Sequence, residues 1–252
     1  IKALEVDGTF DDCQAMVKQA FLDTELISIK NLTSANSINV ARWLPQMFYF
    51  FIAYKQLKRK HQELVFSVPS GNFGNICAGL MAQQLGLPVK QFIATTNVND
   101  IVPNFLETGI YTPKPSKQTI SNAMDVGDPS NFVRILEIYK NDIKKLKENL
   151  TSYSFTDEET REAMKEIKNK SGYIADPHGA VGYLGLKKYL EHNKAQGIFL
   201  ETAHPVKFLD VVEPVLNETI EYPQQILNVM NKKKVSIEIS TYEELKQYLM
   251  KS

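Results

Sequence analysis

An α/β fold, with parallel sheet layers and flanking helices, is what this 252-residue sequence predicts, and two observations carry the prediction. From Leu64 onward short apolar runs alternate with stretches of helical periodicity: LVFSVP, then Phe73 to Leu85, then VKQFIATT, then Asn99 to Leu106. Strand, helix, strand in succession is the signature of a parallel sheet, whose neighbouring strands need a long crossover between them. The second observation is the polar, glycine-punctuated hinge Val68 to Asn75, VPSGNFGN, which joins the first of these strands to its helix.

The elements follow in order. Lys2 to Val6 predicts a strand, and Gly8-Thr9 starts a helix with Thr9 as N-cap and Asp12 in the first turn, where a carboxylate meets free N–H groups. Cys13, Val17, Ala20 and Phe21 supply its apolar face. Ile27 to Lys30 predicts a second short strand, and NLTSANSIN leads into a helix from about Ile38 that must kink or restart near Pro45. The run WLPQMFYFFIAY, Trp43 to Tyr54, is well short of the roughly 20 residues of a membrane span and reads as a buried core helix. Gly109 to Asn131 is rich in Pro, Ser, Asn and Gly and predicts a long irregular excursion.

Two helices are expected next, Phe132 to Leu150 and Asp157 to Lys170, the second opened by a Thr156/Glu159 capping box and stopped at Gly172. A short strand at Tyr173 to Ala175, a helix from Pro177, a strand at Gly197 to Ala203 and a helix from about Val206 make another α/β unit. The tail, with lysines 232 to 234 and YEELKQYLMK, predicts a solvated loop and a peripheral helix.

Composition narrows the function classes. Basic and acidic residues number 29 each, so no electrostatic bias favours nucleic acid or an anionic membrane, and a small ligand is the expectation. Cys13 and Cys77 stand far apart in no CxxC pattern, which suggests neither a disulfide framework nor a zinc site and fits a reducing cytoplasm. No other metal-ligand constellation and no Ser/His/Asp triad is visible. His178 and His204 read as supporting or capping residues. The chain opens without a signal peptide or an initiator Met, directly into a strand, which reads as a piece of a longer protein.

Between a strand and a helix, VPSGNFGN has the geometry of an anion cradle, where backbone N–H groups and the positive end of the helix dipole converge. Gly71 and Gly74 permit close backbone approach or a positive φ, and Ser70, Asn72 and Asn75 can add neutral donors. No GxxxxGK[ST] or GxGxxG spacing is present. By itself the stretch reads equally as a well-formed turn whose Ser and Asn cap a helix.

Taken together, VDGTFDDCQ (6 to 14), SANSIN (34 to 39), VPSGNFGN, ATTNVND (94 to 100), SNAMDVGDPSNF (121 to 132), DPHGAVGY (176 to 183) and ETAHPVKF (201 to 208) resemble the threonine synthase family, of the pyridoxal-phosphate (PLP) fold type II group. The resemblance covers nearly the whole chain, in order. It implies conversion of O-phospho-L-homoserine and water to L-threonine and phosphate, with PLP as cofactor and a small phosphorylated amino acid as substrate. Ser70, Gly71, Asn72, Phe73, Gly74 and Asn75 match the loop that holds the cofactor phosphate, and Thr202 matches the hydroxyl presented to the pyridine nitrogen. Thr202 reads equally as a helix cap. Ser34, Asn36 and Asn39 are candidate substrate or cofactor contacts, with Ser37 or Asn39 as cap of the next helix in the plainer reading. Asp125, Asn131 and Lys207 fall in matching segments without an assignable role.

The family's cofactor-linking lysine belongs to an upstream segment resembling SFKD, and no such segment occurs here; Lys30, in ISIKNL, lacks the flanking residues. The expectation is the C-terminal part of the enzyme, inactive alone, with its N-terminal segment as a missing partner. Residues 1–40 would then belong to a small mobile domain and 41–252 to most of a large cofactor-phosphate domain. A sheet incomplete at its N-terminal side predicts exposed apolar surface, with weakened stability, homo-oligomerisation or rearranged packing. The alternatives are another fold type II enzyme, such as a serine or threonine dehydratase, and a non-catalytic module that binds a phosphorylated small molecule.

Overall fold

The computed structural model describes residues 2–37, 39–58 and 62–251. In chain order the strands are β1 (Leu4–Val6), β2 (Leu64–Pro69), β3 (Gln91–Thr96), β4 (Leu150–Ser154), β5 (Gln196–Phe199) and β6 (Ile237–Ile239). The helices are α1 (Phe10–Leu22), α2 (Thr24–Ile29), α3 (Val40–Trp43), α4 (Met47–Gln56), α5 (Gly74–Gln84), α6 (Ile101–Thr108), α7 (Phe132–Ile138), α8 (Ile143–Asn149), α9 (Asp157–Ser171), α10 (Pro177–Leu190), α11 (Leu209–Leu216), α12 (Gln224–Met230) and α13 (Tyr242–Lys251). They fall into two compact units, residues 1–34 with 222–252, and residues 35–221.

The larger unit is organised by a four-stranded sheet of order β4-β3-β2-β5, parallel throughout. All six residues of β2 are buried, as befits a central strand covered on both faces. Successive side chains alternate between two cores. Phe66 and Val68 join Phe50 and Phe92 on one face, with Phe66 and Phe92 stacked at 5.8 Å and Phe50 edge-on at 5.1 and 5.5 Å. Val65 points the other way, to Ile93, Leu186 and Tyr189. Helix α10 lies directly on that second face: a Cβ on Gly185 would sit 1.9 Å from Thr95 Cγ2, and Ser67 Oγ donates to the Gly182 carbonyl at 2.6 Å. Helix α5 is apolar nearly all round because it runs through the first core, burying Ile76, Cys77, Leu80 and Ala82.

In the smaller unit β1 and β6 pair in parallel, Leu4 opposite Ile237 and Val6 opposite Ile239. Helix α1 opens on the expected Thr9/Asp12 capping box. Asp23 caps α2 and also ties in α13, accepting from Tyr242 Oη at 2.7 Å and pairing with Lys246 Nζ at 2.9 Å.

Several expectations are corrected. Ile27 to Ile29 is helical and Lys30 is the extended C-cap: Asp23 Oδ1 accepts from the Glu25 and Leu26 amides, and this cap outweighs the β-branched residues that suggested a strand. The helix expected over Phe132 to Leu150 breaks at Lys140 and Asn141, which take φ of 52° and 59°; Asp142 caps a fresh helix, and Leu150 starts a strand beside β3. Tyr173 to Ala175 forms no strand among the described residues, and β5 ends at Phe199, short of Ala203. The run from Trp43 is only partly core: Trp43 and Phe50 are buried, while Phe48 and Ile52 are 62% and 54% exposed. The boundary expected at residue 40 falls after Ser34, and the C-terminal tail groups with the N-terminal segment because β6 pairs with β1. Ile38, expected to begin a helix, lies outside the described residues, and α3 starts at Val40. Among the described residues no helix is long and apolar enough to cross a membrane.

Candidate functional site

Strand β2 delivers the chain to the hinge. Ser70 continues the sheet by donating its amide to the Thr95 carbonyl at 2.8 Å, and its hydroxyl turns back to the Val68 carbonyl, so this side chain is buried and internally used. Phe73 then takes the left-handed conformation, φ 60° and ψ 15°, and α5 starts at Gly74 with no side-chain cap. A bulky residue in that region costs on the order of 1–3 kcal/mol. Burial of the ring, edge-on to Phe132 at 5.9 Å, offsets it. The turn aims the chain so that the amides of Gly71 to Gly74 make no hydrogen bond to the protein among the described residues. Uncapped helix N-terminal amides at a strand-helix junction make a preformed anion site.

Glycine is required at position 71 by space, not by φ. A Cβ there would lie 2.7 Å from the Ala123 carbonyl oxygen and 2.8 Å from Met124 Cα. The segment 121–125 therefore forms one wall of the cradle. The wall is clamped by Asp125, whose Oδ1 accepts from Thr119 Oγ1 at 2.7 Å and Asn97 Nδ2 at 2.9 Å, and whose Oδ2 accepts the Thr119 amide at 3.0 Å. Burial pushes its carboxyl above the usual range while these donors pull the other way. The excursion over residues 109–131 is thus irregular, as expected, yet fixed by side-chain hydrogen bonds.

The remaining polar residues of the hinge brace it and do not present free donors. Asn72 Oδ1 accepts from the Ser130 amide at 2.6 Å and its hydroxyl at 2.9 Å, and Asn75 bridges the Pro69 carbonyl and the Ile76 amide, each at 2.8 Å. Asn72 Nδ2 donates to Ser37 Oγ at 3.2 Å, and Asn131 Nδ2 donates to the same oxygen at 3.1 Å. Arg134 Nη1 holds the Ser37 carbonyl at 2.8 Å and also donates to Asn131 Oδ1. Ser37 is the residue of SANSIN that meets the cradle. Asn39 caps α3 through the Ala41 amide at 3.1 Å, Asn36 accepts from the Asn39 amide through its carbonyl, and Ser34 ends the smaller unit.

Thr202 lies beyond the end of β5, exposed, on a hollow of about 600 Å³ lined also by Gln46, Tyr49, Asn75 and Leu200. Its size suits a small organic ligand. The structure thus brings Thr202 and the hinge residue Asn75 to one hollow, although 127 positions separate them in the chain. His204 caps the turn that follows, its Nδ1 accepting the Val206 amide at 3.2 Å. His178 has a more connected place: its Nε2 accepts the Ala123 amide at 3.2 Å, and its Nδ1 meets Asp176 Oδ1 at 2.6 Å. Sequence reasoning weighed Ser37 only as a helix cap and missed Ser130, Arg134 and the Asp176-His178 link. The Ser37, Ser130 and Arg134 contacts join segments tens of residues apart, which no local spacing signals, whereas the Asp176-His178 link spans two residues and lay within reach of local reading. No group of three or more His, Cys, Asp or Glu suited to a metal ion occurs among the described residues.

Comparison with known proteins bears on this geometry. The family profile for pyridoxal-phosphate dependent enzymes matches residues 2–198, and that for the C-terminal part of threonine synthase matches residues 179–249. A threonine synthase of Escherichia coli K12 is 49% identical over 90% of this chain and 52% of its own length. The crystal structure of threonine synthase from Escherichia coli superimposes with a TM-score of 0.93 at 46% identity, over 100% of this chain and 58% of that one. The PLP-bound threonine synthase structure from Brucella melitensis gives 0.84 at 32%, over 99% and 59%. The chain therefore spans between half and three fifths of the length of these relatives.

Proposed function

The chain belongs to the pyridoxal-phosphate dependent enzyme family, on its threonine synthase branch, and from that premise we propose that the whole protein converts O-phospho-L-homoserine and water to L-threonine and phosphate. The observation that carries the reading is the uncapped strand-to-helix turn at Gly71 to Gly74, whose amides meet no acceptor among the described residues and whose wall leaves no room for a Cβ at Gly71. Such a turn fits a phosphate monoester, and the hollow shared by Asn75 and Thr202 fits the ring that the phosphate carries.

Within this proposal the backbone amides from Gly71 to Gly74, with the positive end of α5, hold the cofactor phosphate, while Ser70, Asn72 and Asn75 hold the loop that presents them. When bound, PLP supplies an electron sink that stabilises negative charge developing on the carbons of an amino acid. The hydroxyl of Thr202 is suited to the pyridine nitrogen. An alcohol is neutral and does not hold a proton there as a carboxylate does, which keeps that sink moderate. Ser37 and its partners Asn131 and Arg134 form a polar, cationic flank to the cradle, suited to a substrate that carries its own phosphate and carboxylate. The substrate, a small phosphorylated amino acid, needs no nucleic-acid or membrane surface.

The decisive experiment is a product assay on the whole protein with O-phospho-L-homoserine and, separately, with L-serine and L-threonine. Release of phosphate and threonine from the first is expected. Ammonia release from the hydroxy amino acids in its place would overturn the assignment in favour of a dehydratase, and binding of PLP without turnover of any of them in favour of a binding module.

A further inference from the structure

Two adjacent acids, Asp176 and Glu201, the second on the wall of the hollow shared by Asn75 and Thr202, have no role in the functional reading above. Asp176 is fully buried and caps α10, its Oδ1 accepting the His178 amide at 2.8 Å. The same Oδ1 takes a second proton from the His178 ring. Nε2 of that ring accepts the Ala123 amide, so the imidazole hydrogen sits on Nδ1, 2.6 Å from the carboxylate. That leaves Asp176 Oδ2, which is sealed from solvent and meets no hydrogen-bond donor among the described residues. Both carboxyl oxygens of Glu201 are likewise sealed and form no well-aligned hydrogen bond, the Asp176 backbone amide being the donor near them. The Glu201 carboxyl lies flat on the α-carbon of Gly179, where a Cβ would fall 2.1 Å from its Cδ, Oε1 and Oε2, and within hydrogen-bonding reach of Asp176.

Three sealed acceptor oxygens with only the Asp176 backbone amide near them among the described residues form an under-supplied arrangement, and two adjacent ionised carboxylates without a cation would repel each other strongly in that environment. One proton placed between them resolves both defects. The geometry points to Glu201 as a positioning residue: it carries its proton, donates it to Asp176 Oδ2, and so ties the end of β5 to the start of α10 and, through His178 and Ala123, to the wall that faces Gly71. The consequence is a fixed distance between the cradle and Thr202, the residue next to Glu201. This consequence rests on the cradle reading proposed above; the location of the proton does not.

The titratable groups around Glu201 are Asp176, Tyr173 before α10, His178 behind Asp176, and Tyr49 of α4 on the shared hollow; no cation among the described residues acts on it. Burial first, and the Asp176 charge second, push the Glu201 carboxyl far above the usual range. For a carboxyl raised on folding, the folded state holds the extra proton. Its contribution is full below the ordinary carboxylate range and is lost as the pH climbs to the raised value.

Infrared spectroscopy of the intact protein at neutral pH tests the proton directly. A protonated-carboxyl C=O band should be present in the wild type and absent in Glu201→Gln. The amide of the Gln variant still donates to Asp176, so its affinity for PLP and for inorganic phosphate should stay within about twofold of wild type, while Glu201→Ala weakens both by roughly tenfold. Wild-type affinity should decline on the alkaline side, and the Gln variant should lose that decline, a readout that a purely structural role would not move. Absence of the band, or a Gln variant as weak as the Ala variant, would overturn the proposal. The same holds for an Ala variant that binds like wild type. A wild type that shows the band yet binds neither PLP nor phosphate would sustain the proton assignment and overturn the cradle reading. Should the Ala variant fail to fold, the band and the pH profile of the Gln variant decide alone.

Discussion

The two compact units are built by different means. In residues 35–221 stability comes from a continuous apolar core: every residue of β2 is buried, and Phe50, Phe66 and Phe92 close on one another between the sheet and α5. Residues 2–34 and 222–251 bury few large apolar side chains, chiefly Leu26 and Ile239, and leave Leu22 and Val235 at 80% and 81% exposure. There the chain is held by a three-residue strand pair and by polar ties at Asp23, Lys246, Glu5 and Lys234. Apolar burial of about 25 cal/mol per Å² accumulates with area, whereas ion pairs at the surface gain little against water and lost side-chain freedom. The proposed anion cradle accordingly lies in the unit that can hold a strained turn such as Phe73 in place.

This contrast can be broken most forcefully in the core. Phe92→Ala should destabilise the larger unit by about 3–5 kcal/mol, measured by chemical denaturation, because it opens a cavity between Phe50 and Phe66. A loss below about 1 kcal/mol would refute the account of the core. Gly71→Val drives two methyls and a Cβ into the Ala123 carbonyl, and PLP or phosphate affinity by equilibrium titration should fall at least tenfold, roughly 1.4 kcal/mol, with the far-ultraviolet spectrum unchanged. Equal affinities would place the anion elsewhere.

A finer comparison uses the capping box that each unit possesses, Thr9/Asp12 on α1 and Thr156/Glu159 on α9. Thr156→Ala should cost about 1 kcal/mol of cooperative unfolding free energy. Thr9→Ala should instead increase hydrogen exchange within α1 and leave the main transition in place. Identical shifts in the main transition would show that the two units unfold as one.

The smallest effect concerns pH. Lys246 first, then Tyr242 and the Leu26 amide, hold the Asp23 carboxyl well below the usual range. A carboxyl lowered on folding contributes stability above its unfolded value, about pH 4, and loses it as the pH falls through the lowered folded value. Exchange protection in α13 should therefore decline on acidification below about pH 4, and Asp23→Asn should remove that dependence. Protection that is independent of pH in the wild type would exclude Asp23 as the tie.

Legibility followed the range of the interactions. Thr9/Asp12, Thr156/Glu159 and the Gly172 stop were readable because a cap and its partner lie within one turn, and β2, α5 and β3 because apolar runs of strand length flank one of helix length. Ile27 to Lys30 misled because β-branched residues point to a strand wherever a nearby cap is weighed too lightly, and Asp23 is such a cap. The LTSYS strand was hidden in a helical reading, since its pairing with β3 lies about 58 residues away in sequence. The return of β6 to β1 spans more than 230 positions and leaves no mark on either segment alone.

For the site, the order of residues alone determined that a glycine-punctuated turn follows a buried strand and opens a helix, because backbone amides and the helix dipole come with that arrangement whatever surrounds it. Tertiary structure decided the rest. It assigned Ser70, Asn72 and Asn75 to bracing, made Gly71 obligatory through a wall some fifty residues further on, and set Thr202 on the same hollow as Asn75. It also enclosed Glu201 with Asp176. The division has a physical cause: conformational preference acts over one turn of chain, while close approach, burial of charge and the sharing of a proton depend on which distant segments the sheet brings together.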